Sequence, residues 1–104
     1  MIIITFYNDG YITRGHSDDV TCTQISAMQY IIEGSILEVD EKAKCKDGEK
    51  GTGLTALLVE SELALKLLDR YKEDIKVWLN NVAEKGKYKI EYKNENLDWN
   101  MVNQ

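Results

Sequence analysis

The chain has 104 residues, of which 43% are hydrophobic, and its 13 lysines and arginines against 18 aspartates and glutamates give a net charge of −5. That is one domain's worth of chain with enough apolar material for a core, at a size where a dimer partner adds stability. The acidic balance lacks the basic stripe that a phosphate backbone needs, and no apolar run approaches the roughly 20 residues of a membrane span, so nucleic acid and membrane are excluded as partners.

The opening MIIITFYND has no basic segment ahead of its apolar run, which argues against a signal peptide and for a cytoplasmic protein. Residues 2–7 are rich in β-branched and aromatic types, Asn8-Asp9-Gly10 is a turn signal, and Tyr11 to Thr13 resume the strand pattern. The segment predicts a β-hairpin.

Asp18 or Asp19 is a natural N-cap for a helix that follows. At 100° per residue, Thr21, Ile25, Met28, Ile32 and Ile36 share one sector, the expected core face. Asp19, Cys22 and Ser26 lie together on its shoulder, and Gly34 ends or interrupts the helix. KAKCKDGEKGTGLTALLV then has no helical period and predicts strand, turn, strand. Its GEKGTG resembles a phosphate loop only superficially. It lacks the GxxxxGK[ST] spacing and predicts a flexible hairpin tip instead.

A second helix starts at a Ser61 cap. Leu63, Leu67, Tyr71 (or Leu68), Ile75, Trp78 and Val82 recur at threes and fours, and Lys85-Gly86 forms the expected end. Tyr88, Ile90 and Tyr92 alternate with charged residues, as in a half-buried strand. The tail after residue 93 is polar, with Leu97, Trp99, Met101 and Val102 available to dock on the body or on a partner chain. The expected architecture is therefore α+β: two layers, a mostly antiparallel sheet in the order ββαββαβ with two main helices. Residues 1–93 form the domain and 94–104 its tail.

The only histidine, His16, falls at the end of the second strand, and Cys22 falls in the first turn of the next helix. A helix N-terminus stabilises a thiolate, and its free N–H groups can face a carbonyl oxygen as it becomes an oxyanion. A nearby histidine can take the thiol proton and return it to the leaving amine. Were Asp19 the cap, Cys22 would stand at the third helical position. Asp19 can alternatively orient the imidazole, and Ser26 can orient the thiol or bond back to its own helix. The competing reading makes Cys22 a small buried hydrophobe. Cys45, in a lysine-rich strand without a histidine, reads as structural. Two cysteines and one histidine match no zinc spacing, so a structural metal is not expected, and both thiols are expected free.

Gly15-His16, then Asp19 three residues before Cys22, Ser26 four after it, and Ala27-Met28 beyond resemble the Prp (YsxB-like) family of ribosomal-processing cysteine proteases. The element order resembles that family's over about residues 1–93. The resemblance implies a homodimeric cysteine endopeptidase acting on a peptide or protein substrate, without cofactor. Cys22 would be the nucleophile and His16 the base, with Gly15, Asp19 and Ser26 supporting. It implies trimming of an N-terminal extension from a ribosomal protein or a phage structural protein. The family carries a longer, glycine-containing loop between its histidine and cysteine; here only Ser17 to Thr21 separate them. The alternative on the same fold is a catalytically inactive dimeric binding or regulatory protein of a phage or mobile element.

Overall fold

The computed structural model describes residues 1–47, 53–83 and 86–103. Its elements are β1 (Ile2–Tyr7), β2 (Gly10–Gly15), α1 (Asp19–Val39), β3 (Lys44–Asp47), β4 (Leu54–Leu58), α2 (Glu62–Val82), β5 (Tyr88–Tyr92) and a short 3-10 helix over Trp99–Asn103. Most of GEKGTG, the expected hairpin tip, and Lys85 of the expected helix end lie outside the described residues.

The five strands form one sheet in the order β3-β4-β2-β1-β5. Three pairings are antiparallel, and β1 with β5 is parallel. A parallel neighbour needs a long crossover, which α2 supplies between β4 and β5. Gly10 is dictated by the second of these pairings. A Cβ there would sit 2.1 Å from the Leu57 carbonyl oxygen on β4.

Strand alternation sends Ile2, Ile4, Phe6, Tyr11 and Leu57 to the helix-bearing face, where they meet Ile25, Ile36, Leu68, Ile75 and Leu79. Tyr7, Ile12 and Ala56 point to the opposite face. There the C-terminal segment covers them with Leu97 and Val102, so these tail residues dock on the body.

The helices differ from the sequence expectation in their ends and in the faces they bury. Gly34 neither ends nor interrupts α1, which continues to Val39. The buried row of α1 is Thr21, Ile25, Gln29, Glu33 and Ile36, and Met28 and Ile32 are only partly buried. Polar residues replace two expected apolar ones because β2 offers them partners: Gln29 Nε2 donates to Thr13 Oγ1 at 2.6 Å, and the Tyr11 hydroxyl donates to Glu33 Oε1 at 2.5 Å. On α2 the buried row is Ala64, Leu68, Tyr71, Ile75 and Leu79. Leu63 and Val82, expected inside, are about half exposed. The row follows i+3 and i+4 steps from the small, fully buried Ala64. The helix ends at Val82, before the expected Lys85-Gly86 stop.

Candidate active site

The turn from β2 into α1 sets the site. Gly15 closes β2 with φ +97, a conformation only glycine adopts freely, and a Cβ there would lie 2.3 Å from the Met1 carbonyl oxygen. The chain then runs through His16 and Ser17 to Asp18, the N-cap of α1. Asp18 Oδ2 accepts from Thr21 N at 3.3 Å, and Oδ1 accepts from the Thr21 hydroxyl at 2.7 Å. The Thr21 hydroxyl bond, then the Thr21 amide bond and Lys87 at 3.3 Å, hold the Asp18 carboxyl well below the usual carboxylate range.

Capping by Asp18 moves Cys22 to the fourth helical position, one beyond the place it would hold under an Asp19 cap. Its amide already donates to the Asp18 carbonyl at 3.0 Å, so it is not available to a substrate oxygen. The N–H groups of Asp19 and Val20 have no backbone acceptor among the described residues and remain for that purpose. Asp19, released from capping, is exposed, and its carboxylate makes no hydrogen bond among the described residues.

The Cys22 thiol is half-buried. Ser17 N donates to its sulfur at 3.4 Å, and the sulfur donates to the Ser17 carbonyl at 3.5 Å. The loop after His16 therefore lies on the thiol. His16 is exposed, and the Cε1–Nε2 edge of its ring rests on Gly53: a Cβ built on Gly53 would lie 2.8 Å from both atoms. No hydrogen bond joins the imidazole to Cys22 among the described residues.

These groups line one groove of about 760 Å³. Gly15, His16, Ser17, Asp19, Cys22 and Ser26 form its outer part. Thr13, Gln29, Glu33, Asp47 and Thr55 form its inner part, between α1 and the β2–β4–β3 side of the sheet. All five residues singled out in the sequence thus meet one concave surface. Ser17, Gly53, Gln29 and Glu33 were missed. Ser17 acts through its backbone, which leaves no mark on residue type. Glu33 had a visible signal, since it continues the Thr21–Ile25–Gln29 row at four-residue steps.

The inner part is electrostatically strained. Burial pushes the Glu33 carboxyl up to about 7, although the Tyr11 hydroxyl favours its ionised form. Burial, and then the charge of Glu33, push the Cys45 thiol up to about 12. Oxygens of Glu33 and Asp47 and the Cys45 sulfur lie within 4.8 Å of one another, the donor set best placed among the described residues to hold a metal. No described helix is long and apolar enough to cross a membrane.

Two helices on one face of a mostly antiparallel five-stranded sheet define an α+β fold, with His16 just past the end of β2 and the Cys22 thiol in the first turns of α1. The chain has the fold of the ribosomal processing protease Prp. It superposes on Prp of Staphylococcus aureus bound to a covalently linked product peptide with a TM-score of 0.72 and 14% identity, covering 89% of this chain and all of that one. The same enzyme with a substrate peptide gives 0.72 and 13% over the same shares. SMU.848 from Streptococcus mutans gives 0.57 and 17%, over 89% of this chain and 99% of that one. No family model and no curated protein matches the chain.

Proposed function

We propose that the protein is a cysteine endopeptidase that takes an extended peptide into the groove. The observation that supports this is the meeting of His16 and Cys22, with Asp19 and Ser26, on one concave surface at the mouth of α1. In this reading His16 removes the Cys22 proton, and the sulfur attacks the scissile carbonyl carbon. The oxygen takes up the electron pair beside the free Asp19 and Val20 N–H groups. Collapse of the intermediate breaks the C–N bond as His16 returns the proton to the amine. Water then adds to the thioester by the same route in reverse and frees Cys22. In this reading Asp19 would orient the imidazole, and Ser26 lies one turn beyond the thiol. The solved structures with product and substrate peptide add a substrate class, and the fold likeness extends the proposal to trimming an N-terminal extension of a ribosomal or phage structural protein. A cytoplasmic homodimer belongs to the same proposal.

The test is cleavage of a degenerate peptide library by the wild type and by Cys22→Ala and His16→Ala. Cleavage lost in both variants, with their folds intact by circular dichroism, is the expected result. Cleavage that survives Cys22→Ala overturns the assignment. A second reading, a non-catalytic peptide-binding protein, is favoured by one observation: the thiol bonds to the Ser17 backbone and not to the imidazole. It expects no cleavage by the wild type, and equal peptide binding by the wild type and Cys22→Ala.

A further inference from the structure

We infer that β5 is an interface between two copies of this chain, which join antiparallel along their β5 edges, centred on Ile90, into one continuous sheet. The inference deepens the proposed homodimer by giving it a face, and it does not depend on the peptidase chemistry.

β5 stands at the end of the strand order, and β1 is its one neighbour among the described residues. Lys93 N donates to the Phe6 carbonyl at 2.8 Å, and the Lys87 carbonyl accepts from Ile2 N at 3.0 Å. In a strand the N–H and C=O of one residue point to the same side, and those of the next residue point to the other. Lys87, Lys89, Glu91 and Lys93 therefore face β1. Tyr88, Ile90 and Tyr92 turn their backbone groups outward, away from the sheet. A row of outward N–H and C=O groups is a template for another strand.

This edge is complementary to itself in one register. With a two-fold axis at Ile90, Ile90 opposes its own copy and Tyr88 opposes Tyr92. Those three residues are the ones whose backbone groups point outward, so they form the hydrogen-bonded pairs of an antiparallel ladder. Lys89 opposes Glu91 in the closer, non-hydrogen-bonded pairs, twice by symmetry. Moving the axis by one residue sets Lys89 or Glu91 against its own copy, which like charge opposes. Lys87 and Lys93 meet at the ends, where Asp18 already holds Lys87 at 3.3 Å.

The two faces of the joined strands also agree. The register with β1 places Tyr88, Ile90 and Tyr92 beside Ile2, Ile4 and Phe6, on the helix-bearing side. Tyr88 and Ile90 are partly buried there, whereas Tyr92 stays 57% exposed with its ring stacked on Phe6. A hollow of about 390 Å³ opens between α2 and this edge, lined by Lys76, Asn80, Tyr88 and Tyr92. A second β5 continues the apolar row and lays its own tyrosines beside that hollow. On the opposite side Lys89 Nζ and Glu91 Oε1 lie 3.0 Å apart. Across the axis they become half of a four-charge cluster in which each charge neighbours its opposite.

The experiment is sedimentation equilibrium of the full chain over a range of concentrations, for the wild type, Lys89→Glu, Glu91→Lys and an equimolar mixture of the two variants. The wild type is expected to dimerise reversibly. Each variant alone sets like charges across both pairs, and its dissociation constant is expected to rise by about tenfold or more. The mixture is expected to associate as the wild type does, because each acidic position of one variant then faces a lysine of the other. Recovery on mixing is an outcome misfolding does not produce. A monomer at every concentration, a dimer that neither swap weakens, or a loss that mixing does not restore overturns the inference. The groove lies on the β2–β4–β3 side of the sheet, so the endopeptidase fails separately. Dimers that respond to both swaps, without any peptide cleavage by the wild type, overturn the endopeptidase and support this interface. Cleavage by a chain whose assembly ignores both swaps overturns the interface and leaves the endopeptidase standing.

Discussion

Ser17 holds the Cys22 sulfur from both sides of its own peptide backbone, donating through its amide at 3.4 Å and accepting at its carbonyl at 3.5 Å. The five-residue link from His16 to Cys22 is thus folded back over the helix mouth, which brings the residue next to the histidine onto the thiol. The two cysteines should therefore differ sharply toward an electrophile. Cys22 sees an amide N–H at a helix N-terminus. Cys45 is half-buried beside Glu33, with its thiol pushed up to about 12. Iodoacetamide at pH 7.5 should label Cys22 faster than Cys45 by about tenfold or more, read by peptide mapping over time. Equal rates would remove the case for an activated thiol.

Gly53 carries a prediction about the histidine. Its φ is +63, and a Cβ there would meet the Gly15 carbonyl at 2.7 Å and the imidazole at 2.8 Å. Both contacts lie below 3.0 Å, so the backbone around Gly15 and Gly53 must shift and the ring must move with it. Gly53→Ala should lower peptide cleavage by about a hundredfold, in line with the cost of moving a catalytic group by an ångström. The left-handed backbone alone costs about 1–2 kcal/mol in stability, and the contact with the Gly15 carbonyl adds to it. Cleavage rate and a urea denaturation curve on one preparation separate the two effects. Full activity would mean that the imidazole does not work from its position on Gly53.

The fold was legible because its signals are local. Asn8-Asp9-Gly10, the alternation through residues 2–7 and the caps at Asp18 and Ser61 each specify an element without help from the rest of the chain. The faces of the helices were less so. On α1, Met28 and Ile32 look like the core row, but Gln29 and Glu33 take it, because Thr13 and Tyr11 on β2 satisfy them. Such long-range pairing leaves no trace in periodicity. The outer groove was readable from His16, Asp19, Cys22 and Ser26, which are close in sequence. Its inner end joins Glu33 to Asp47 across β2 and β4, and its thiol clamp is backbone, so neither was visible.

Glu33 makes stability depend on pH. Its carboxyl is about 7 in the fold against an ordinary 4.5, mainly through burial. The folded state binds this proton more tightly than the unfolded chain does. The contribution is therefore complete below pH 4.5 and is lost as pH rises through 7. Tyr11, Cys45 and Asp47 face it, and of these Asp47 adds repulsion once Glu33 ionises. Unfolding free energy should fall by on the order of 3 kcal/mol between pH 4.5 and 8, and Glu33→Gln should flatten that slope. Asp18 and Asp40 are shifted the other way, Asp40 chiefly by the Glu60 and Ser61 amides, so their contributions are present at neutral pH and disappear only in stronger acid. Urea titrations across the range measure both limbs. An unchanged slope in Glu33→Gln would place the titrating group elsewhere.

The C-terminal segment is tied to the sheet at its hairpin end. Asp9 Oδ1 accepts from Leu97 N at 2.8 Å, and Asn8 N donates to the Glu95 carbonyl at 2.9 Å. These bonds lay Leu97 and Val102 over Tyr7, Ile12 and Ala56, on the face away from α1 and α2. Leu97 is 6% exposed, so truncating it leaves a cavity against three strands. Leu97→Ala should cost about 2–4 kcal/mol, whereas Met101→Ala, at a residue 39% exposed on the same segment, should stay within about 0.5 kcal/mol. The groove lies on the helix-bearing side, so peptide cleavage by folded Leu97→Ala should match that of the wild type. Urea midpoints with cleavage rates on the same samples test both halves. A Leu97→Ala chain as stable as the wild type would mean that the segment merely rests on the sheet, and a stable but inactive one would tie the back face to the site through the strands.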